Sequence, residues 1–148
     1  MNTSTNSESR TNERIKTPNR NDLVLPETSY TIIGCAFDVY NELGHGHHEK
    51  YYQRALAEAL TDAKLRIKQQ VYYPLQYHDK IIGKQFLDFL VEEKIIIEIK
   101  KDGGYSKRHI DQVLQYLART NLSLAILINF GNQGVSFKRI INFPKKYS

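Results

Sequence analysis

Apolar residues recur along this chain at two spacings, and the switches between them divide it into helices and strands. Across 27–43, Ile32, Ile33, Cys35, Ala36, Val39, Tyr40 and Leu43 repeat at helical spacing, and Gly44 follows as a stop. The glycine-hinged segment 44–49, GHGHHE, leads into a second helix with Tyr52, Ala55, Leu56, Ala59 and Leu60 as its buried stripe. Residues 67–78 alternate loosely and are rich in Tyr, Val and Gln, which predicts a strand; Asp79 and Lys80 turn into the next, 81–91. A third strand over 95–100 completes an antiparallel meander. After the loop 101–104, Ser106 can cap a helix reaching about Thr120, with Ile110, Val113, Leu114 and Leu117 on its apolar side. The strongly apolar segment 122–129, a turn at 131–134 and the segment 135–142 give two last strands. Strands grouped around a helical crossover, in the order α-α-β-β-β-α-β-β, predict an α/β protein of the α+β kind, a mixed sheet with helices packed on it.

The pattern also sets the domain limits. Residues 1–26 are rich in Ser, Thr, Asn and Arg with almost nothing apolar, so they are expected to form a flexible polar tail ahead of a single domain over 27–148. A chain of 148 residues with 41% hydrophobic content suits one core and not two. No apolar run approaches the roughly 18 residues of a membrane span, and no signal-peptide pattern is present, which predicts a cytoplasmic protein without a membrane partner. The lone Cys35 falls in a helical apolar stripe and reads as packing. The formal charge is +5, with basic pairs at Lys100-Lys101, Lys107-Arg108, Lys138-Arg139 and Lys145-Lys146. That excess is compatible with a polyanion partner such as nucleic acid.

The charges that break the pattern lie in 84–101, KQFLDFLVEEKIIIEIKK. Glu98 and Lys100 share one face of a strand whose other face is Ile95, Ile97 and Ile99. If Glu92, Glu93 and Lys94 form a three-residue turn, Val91 pairs with Ile95, and counting back along the hairpin places Asp88 opposite Glu98. Two carboxylates held together need a cation, either a lysine or a divalent metal. Mg²⁺ takes oxygen ligands and often only one or two carboxylates, and an ammonium such as Lys100 beside it can orient an attacking water or stabilise charge on a phosphodiester. An internal salt bridge at a strand end is the competing account of the same residues.

Other polar residues fall around this hairpin. Glu49, in the first turn of the second helix, suits the helix dipole and could reach inward as a third acidic ligand. His45, His47 and His48 could suggest zinc, but the spacing matches no strong zinc signature. Asp38 and Glu42 read as a solvated helix face. His109, Gln112 and Tyr116 form a stripe at the edge of the buried face of the third helix, where they could look into a cleft, and Lys107 and Arg108 at its N-terminus suit phosphate.

Together these residues resemble the GxxExxY family of the PD-(D/E)XK nuclease superfamily. Gly46, Glu49 and Tyr52 match the family's name motif, Asp88 with Glu98-Ile99-Lys100 matches the metal-binding core, and Gln112 to Tyr116 matches a QxxxY element. Leu127 to Gly131, LINFG, is also familiar from the group. Leu87 stands where the superfamily often has proline. The resemblance implies a restriction-endonuclease-like core and a Mg²⁺ or Mn²⁺ site held by Asp88, Glu98 and the Ile99 carbonyl, with Glu49 as a further ligand. It also implies Asp88, Glu98 and Lys100 as the catalytic set. Gln112 and Tyr116 would contact substrate or brace the site; Lys101, Lys107 and Arg108, by their charge, are expected to face substrate, and Gly46, Tyr52 and His109 to support the site.

The expected function is a metal-dependent nuclease that cleaves DNA, or with less support RNA, by attack of a metal-activated water on phosphorus. The chain carries no recognisable base-reading module, so structure-selective or end-directed cutting is expected over base-specific cutting. A homodimer is the expected assembly for gripping a duplex. The competing reading is a catalytically silent or repurposed nucleic-acid-binding or assembly module on the same fold.

Overall fold

The computed structural model describes residues 25–143. Nearly all of the predicted tail, and the Lys145-Lys146 pair, lie outside the described residues. The elements are α1 (Pro26–Leu43), α2 (Glu49–Asp62), β1 (Ile67–Tyr77), β2 (Lys80–Val91), β3 (Ile95–Lys101), α3 (Lys107–Thr120), β4 (Leu124–Gly131) and β5 (Gly134–Ile141). Their order is the predicted one. Pro26 opens α1, where a missing N–H costs nothing. Gly44 ends it at φ 73°, donating its N–H to the Tyr40 carbonyl at 2.8 Å. Ser106 caps α3 in a reciprocal box with His109. The last two strands start or end up to two residues away from the predicted limits, because Gly131 pairs with Gly134 and leaves only Asn132 and Gln133 in the turn.

The strands form one five-stranded sheet in sequence order. β3 and β4 run parallel, joined through α3, and the other neighbours are antiparallel. α1 and α2 pack on the face carrying Phe89, Val91, Ile95, Ile97, Ile99, Ile126, Ile128 and Phe130. α3 packs on the opposite face, against Leu90, Ile96, Ala125 and Leu127. Covered on both sides, β3 and β4 need apolar residues at successive positions, which is why they read as continuous runs. None of the described helices is long and apolar enough to cross a membrane.

The β2–β3 hairpin has the odd-length register. Val91 pairs with Ile95, Leu90 with Ile96 and Phe89 with Ile97. Glu92 and Glu93 hold left-handed φ of 54° and 56° in the turn, and Glu92 is fastened by the Arg66 N–H at 2.7 Å and its guanidinium at 3.0 Å. The backbone ladder then stops, one step before Asp88 and Glu98. On the other side of β2, Gln69 pairs with Phe89 and Val71 with Leu87, while Gln70, opposite Asp88, drops out with φ 53°. The strand changes face here: Leu87 belongs to the α3 side and Phe89, two residues on, to the α1–α2 side. A local irregularity of this kind re-aims side chains, and Asp88 sits at its centre.

Candidate active site

Where the ladder stops, carboxylates take over its hydrogen bonds. The Asp88 N–H donates to Glu98 Oε1 at 2.7 Å, and the Ile99 N–H donates to Asp88 Oδ2 at 2.8 Å. Each acid is therefore fixed by the backbone of the other's strand, and the two carboxyls also meet each other. Glu98 is 8% exposed, a nearly buried carboxyl. Burial and then the Asp88 charge push its carboxyl up to about 8. Burial also raises Asp88, opposed by the Ile99 N–H, the Glu98 contact and Lys100. The pair on its own thus holds a proton near neutral pH.

Lys100 lies on the same face of β3 as Glu98 and has no ion-pair partner within 4.0 Å among the described residues. Its charge nevertheless reaches four titratable groups: Asp88, Glu98, Glu49 and His109. Glu49 feels burial first, which raises its carboxyl, then Lys100, Asp88 and Lys101. The second helix therefore delivers its first-turn carboxylate to the field of the β2–β3 site. A hydroxyl holds that helix start in place. Tyr52 is fully buried, stacks on Phe130 at 4.5 Å between centroids, and donates to the Gly44 carbonyl at 2.6 Å. Its oxygen also accepts from the His47 N–H at 3.4 Å. Gly46, at φ 93°, supplies the turn that lets the loop fold back onto it.

The remaining predicted residues separate. Burial, then Lys100 and Arg108, lower the His109 imidazole, whose ring Nδ1 accepts from the Ser106 N–H at 3.4 Å. Gln112 and Arg108 line a groove between α3 and the β1–β2 hairpin. Lys107, largely exposed, pairs with Asp111 at 3.0 Å, and Lys101 lies 3.7 Å from Asp102. Tyr116 is turned into the core, edge-on to Tyr73 at 5.5 Å, and braces α3 from below. His47 contacts the Leu43 carbonyl at 2.9 Å, a local turn contact. Cys35 is buried and burial raises its thiol, as packing requires.

One residue acquired no role from the sequence. Asn129, in the LINFG segment, is the β4 neighbour of Lys100 in register and shares the α3 face with it. Its Oδ1 is sealed from solvent without a hydrogen-bond partner. The only advance signal was the segment's familiarity; a buried acceptor beside a lysine cannot be read from spacing.

Among the described residues, no three His, Cys, Asp or Glu side chains gather into a metal-ligand group. The donor set is a pair of carboxylates, together with a backbone carbonyl and Glu49 within electrostatic reach. That suits a hard cation that keeps much of its water shell, as Mg²⁺ does, and does not suit a closed structural zinc site.

A family model described as the PD-(D/E)XK nuclease superfamily matches residues 26–140. No curated protein sequence matches the chain. Similar solved structures include the crystal structure of SSO0001, with a TM-score of 0.42 and 14% identity over 80% of this chain and 79% of that one. Another is an alkaline exonuclease, LHK-Exo, from Laribacter hongkongensis, with a TM-score of 0.40 and 14% identity over 73% and 76%.

Proposed function

Because the chain belongs to the PD-(D/E)XK nuclease superfamily, we propose that it is a divalent-metal-dependent nuclease hydrolysing phosphodiesters, with DNA as substrate in preference to RNA. The observation that carries this is the reciprocal clamp of Asp88 and Glu98 with Lys100 beside it. A structural ion pair would satisfy the lysine with a carboxylate; here the acids bond to backbone N–H groups and to each other, and Lys100 has no ion-pair partner within 4.0 Å among the described residues.

Asp88, Glu98 and the Ile99 carbonyl would hold Mg²⁺ or Mn²⁺, with Glu49 as a further ligand. The ion, when bound, supplies a Lewis acid for the phosphoryl oxygen and a water that can attack at neutral pH. Lys100 orients that water and offsets negative charge developing on phosphorus. His109 and Tyr52 support the site, the first through the start of α3 and the second through the Glu49 turn. Arg108, Gln112, Lys101 and Lys107 contact substrate, and Tyr116 holds α3 against the sheet.

Gly46, Glu49 and Tyr52 favour the GxxExxY branch of the superfamily. Under the same reading, 27–148 acts as one domain, preceded by a flexible tail, in the cytoplasm, and as a homodimer on duplex substrates. The test is cleavage of single-stranded, double-stranded and branched DNA, and of RNA, in Mg²⁺ or Mn²⁺, alongside Lys100→Ala and an EDTA control. The expected result is cleavage that vanishes in both controls. Folded protein that binds Mn²⁺ yet cuts nothing above Lys100→Ala would replace the nuclease with a binding module.

A further inference from the structure

β2 pairs with β3 only over Phe89–Val91, so most of the β1–β2 hairpin projects beyond that ladder. A groove of about 550 Å³ is lined from the hairpin by Leu75 and Gln85, and from the N-terminal part of α3 by Arg108, Gln112 and Gln115. Its floor is rigid. Tyr73 is 4% exposed, donates its hydroxyl to Gln115 Oε1 at 3.0 Å, and packs between the Tyr116 ring and the Arg119 guanidinium, 5.4 Å from its centroid.

The lining chemistry is selective. Gln85 and Gln112 present side-chain amides with no protein hydrogen bond among the described residues, each able to donate and accept. Lys107 and Asp111 also line the groove but are tied to each other at 3.0 Å, whereas Arg108 has no carboxylate partner among the described residues. Leu75 adds a half-exposed apolar surface. Paired donors and acceptors, an apolar contact and one free guanidinium match the edge and face of a nucleobase with its phosphate. The volume lies in the range of small-ligand pockets, room for a nucleotide and not for a duplex. The groove opens on the α3 side of the sheet, the side that carries Glu98 and Lys100, and Gln85 is three residues, about 10 Å, from Asp88 along β2.

We propose that this groove holds an unpaired nucleotide next to the scissile phosphate, so that the substrate is nucleic acid with a single-stranded stretch at the cut. This rests on the nuclease reading and adds the substrate class. The test compares wild type with Gln85→Leu/Gln112→Leu, and separately with Arg108→Ala, on single-stranded, gapped and fully paired DNA of one sequence. Mn²⁺ affinity is measured on each protein to show an intact fold and metal site. Wild type should prefer the single-stranded and gapped forms. The double variant should lose about tenfold or more in kcat/KM on them, mainly through KM, with Mn²⁺ affinity unchanged.

Wild-type preference for fully paired DNA, or unchanged cutting of single strands by both variants, would overturn the groove's role. If wild type cuts nothing, the nuclease reading fails by itself, and the groove is judged by binding of single strands carrying 2-aminopurine. A fluorescence change that is saturable with wild type and lost in the double variant keeps the groove. No change with wild type removes it.

Discussion

The two faces of the central strand β3 differ sharply. Towards α1 and α2, Ile95, Ile97 and Ile99 are fully buried in a continuous apolar layer. Towards α3, Ile96 belongs to a smaller cluster, and the next positions on that face are Glu98 and Lys100. Adjacent residues of one strand thus belong to two regimes, one that holds the sheet together and one that tolerates charge. The difference shows how a small domain can carry a destabilising site: stability is concentrated on the opposite face, so the acids need not pack well.

The largest effect that would test this division is on catalysis. Asp88→Asn should lower cleavage by about 10³-fold, roughly 4 kcal/mol of transition-state stabilisation. The metal-free protein should keep or gain resistance to urea, because the neutral amide keeps an oxygen for the Ile99 N–H and removes a partly buried charge. A strong loss of stability would mean that the clamp is structural. Next comes Ile97→Ala, expected to cost about 2–5 kcal/mol in urea unfolding. The turnover of whatever remains folded should change little; an equal loss in kcat would show the faces to be coupled.

The third effect depends on pH. Glu98 ionises near 4.5 in an unfolded chain and near 8 in the metal-free fold, so between those values the folded chain retains the extra proton. Metal-free stability should therefore fall as pH rises through that window, and Asp88 shifts in the same direction. Saturating Mn²⁺ should raise the melting temperature most at about pH 8 and least near pH 5, because binding requires both carboxylates ionised. A melting temperature that climbs with pH without metal would contradict the buried pair. The smallest effect should come from Tyr52→Phe, which removes the bond to Gly44 and should cost about 1 kcal/mol in unfolding. Its cleavage should drop more than that destabilisation accounts for if the hydroxyl sets Glu49; parity would make Tyr52 a core residue only.

Much of this was legible because it depends on local spacing. The three-residue connector determines the β2–β3 register, and with it the meeting of Asp88 and Glu98, from a stretch of eighteen residues. Helix ends followed Gly44 and Ser106. The face change at Gln70 and Asp88 was not legible, since no glycine or proline marks it and Gln70 takes a left-handed φ without a sequence cue. Tyr116 illustrates a second limit. Its spacing with Gln112 put both at the edge of α3, and only packing against Tyr73 from a distant strand decides which one turns inward. The groove has the same origin, because its two walls come from elements far apart in sequence.

The short connector at Glu92, Glu93 and Lys94 makes this protein unequally sensitive to two kinds of genetic change. Replacing a turn residue alters an exposed contact. Inserting or deleting a single residue there would advance one strand against the other by one step, carrying Glu98 towards the apolar layer and an isoleucine into the site. Lineages descended from this sequence can therefore exchange residues in that turn, within what a left-handed backbone at Glu92 and Glu93 accepts, while its length stays frozen.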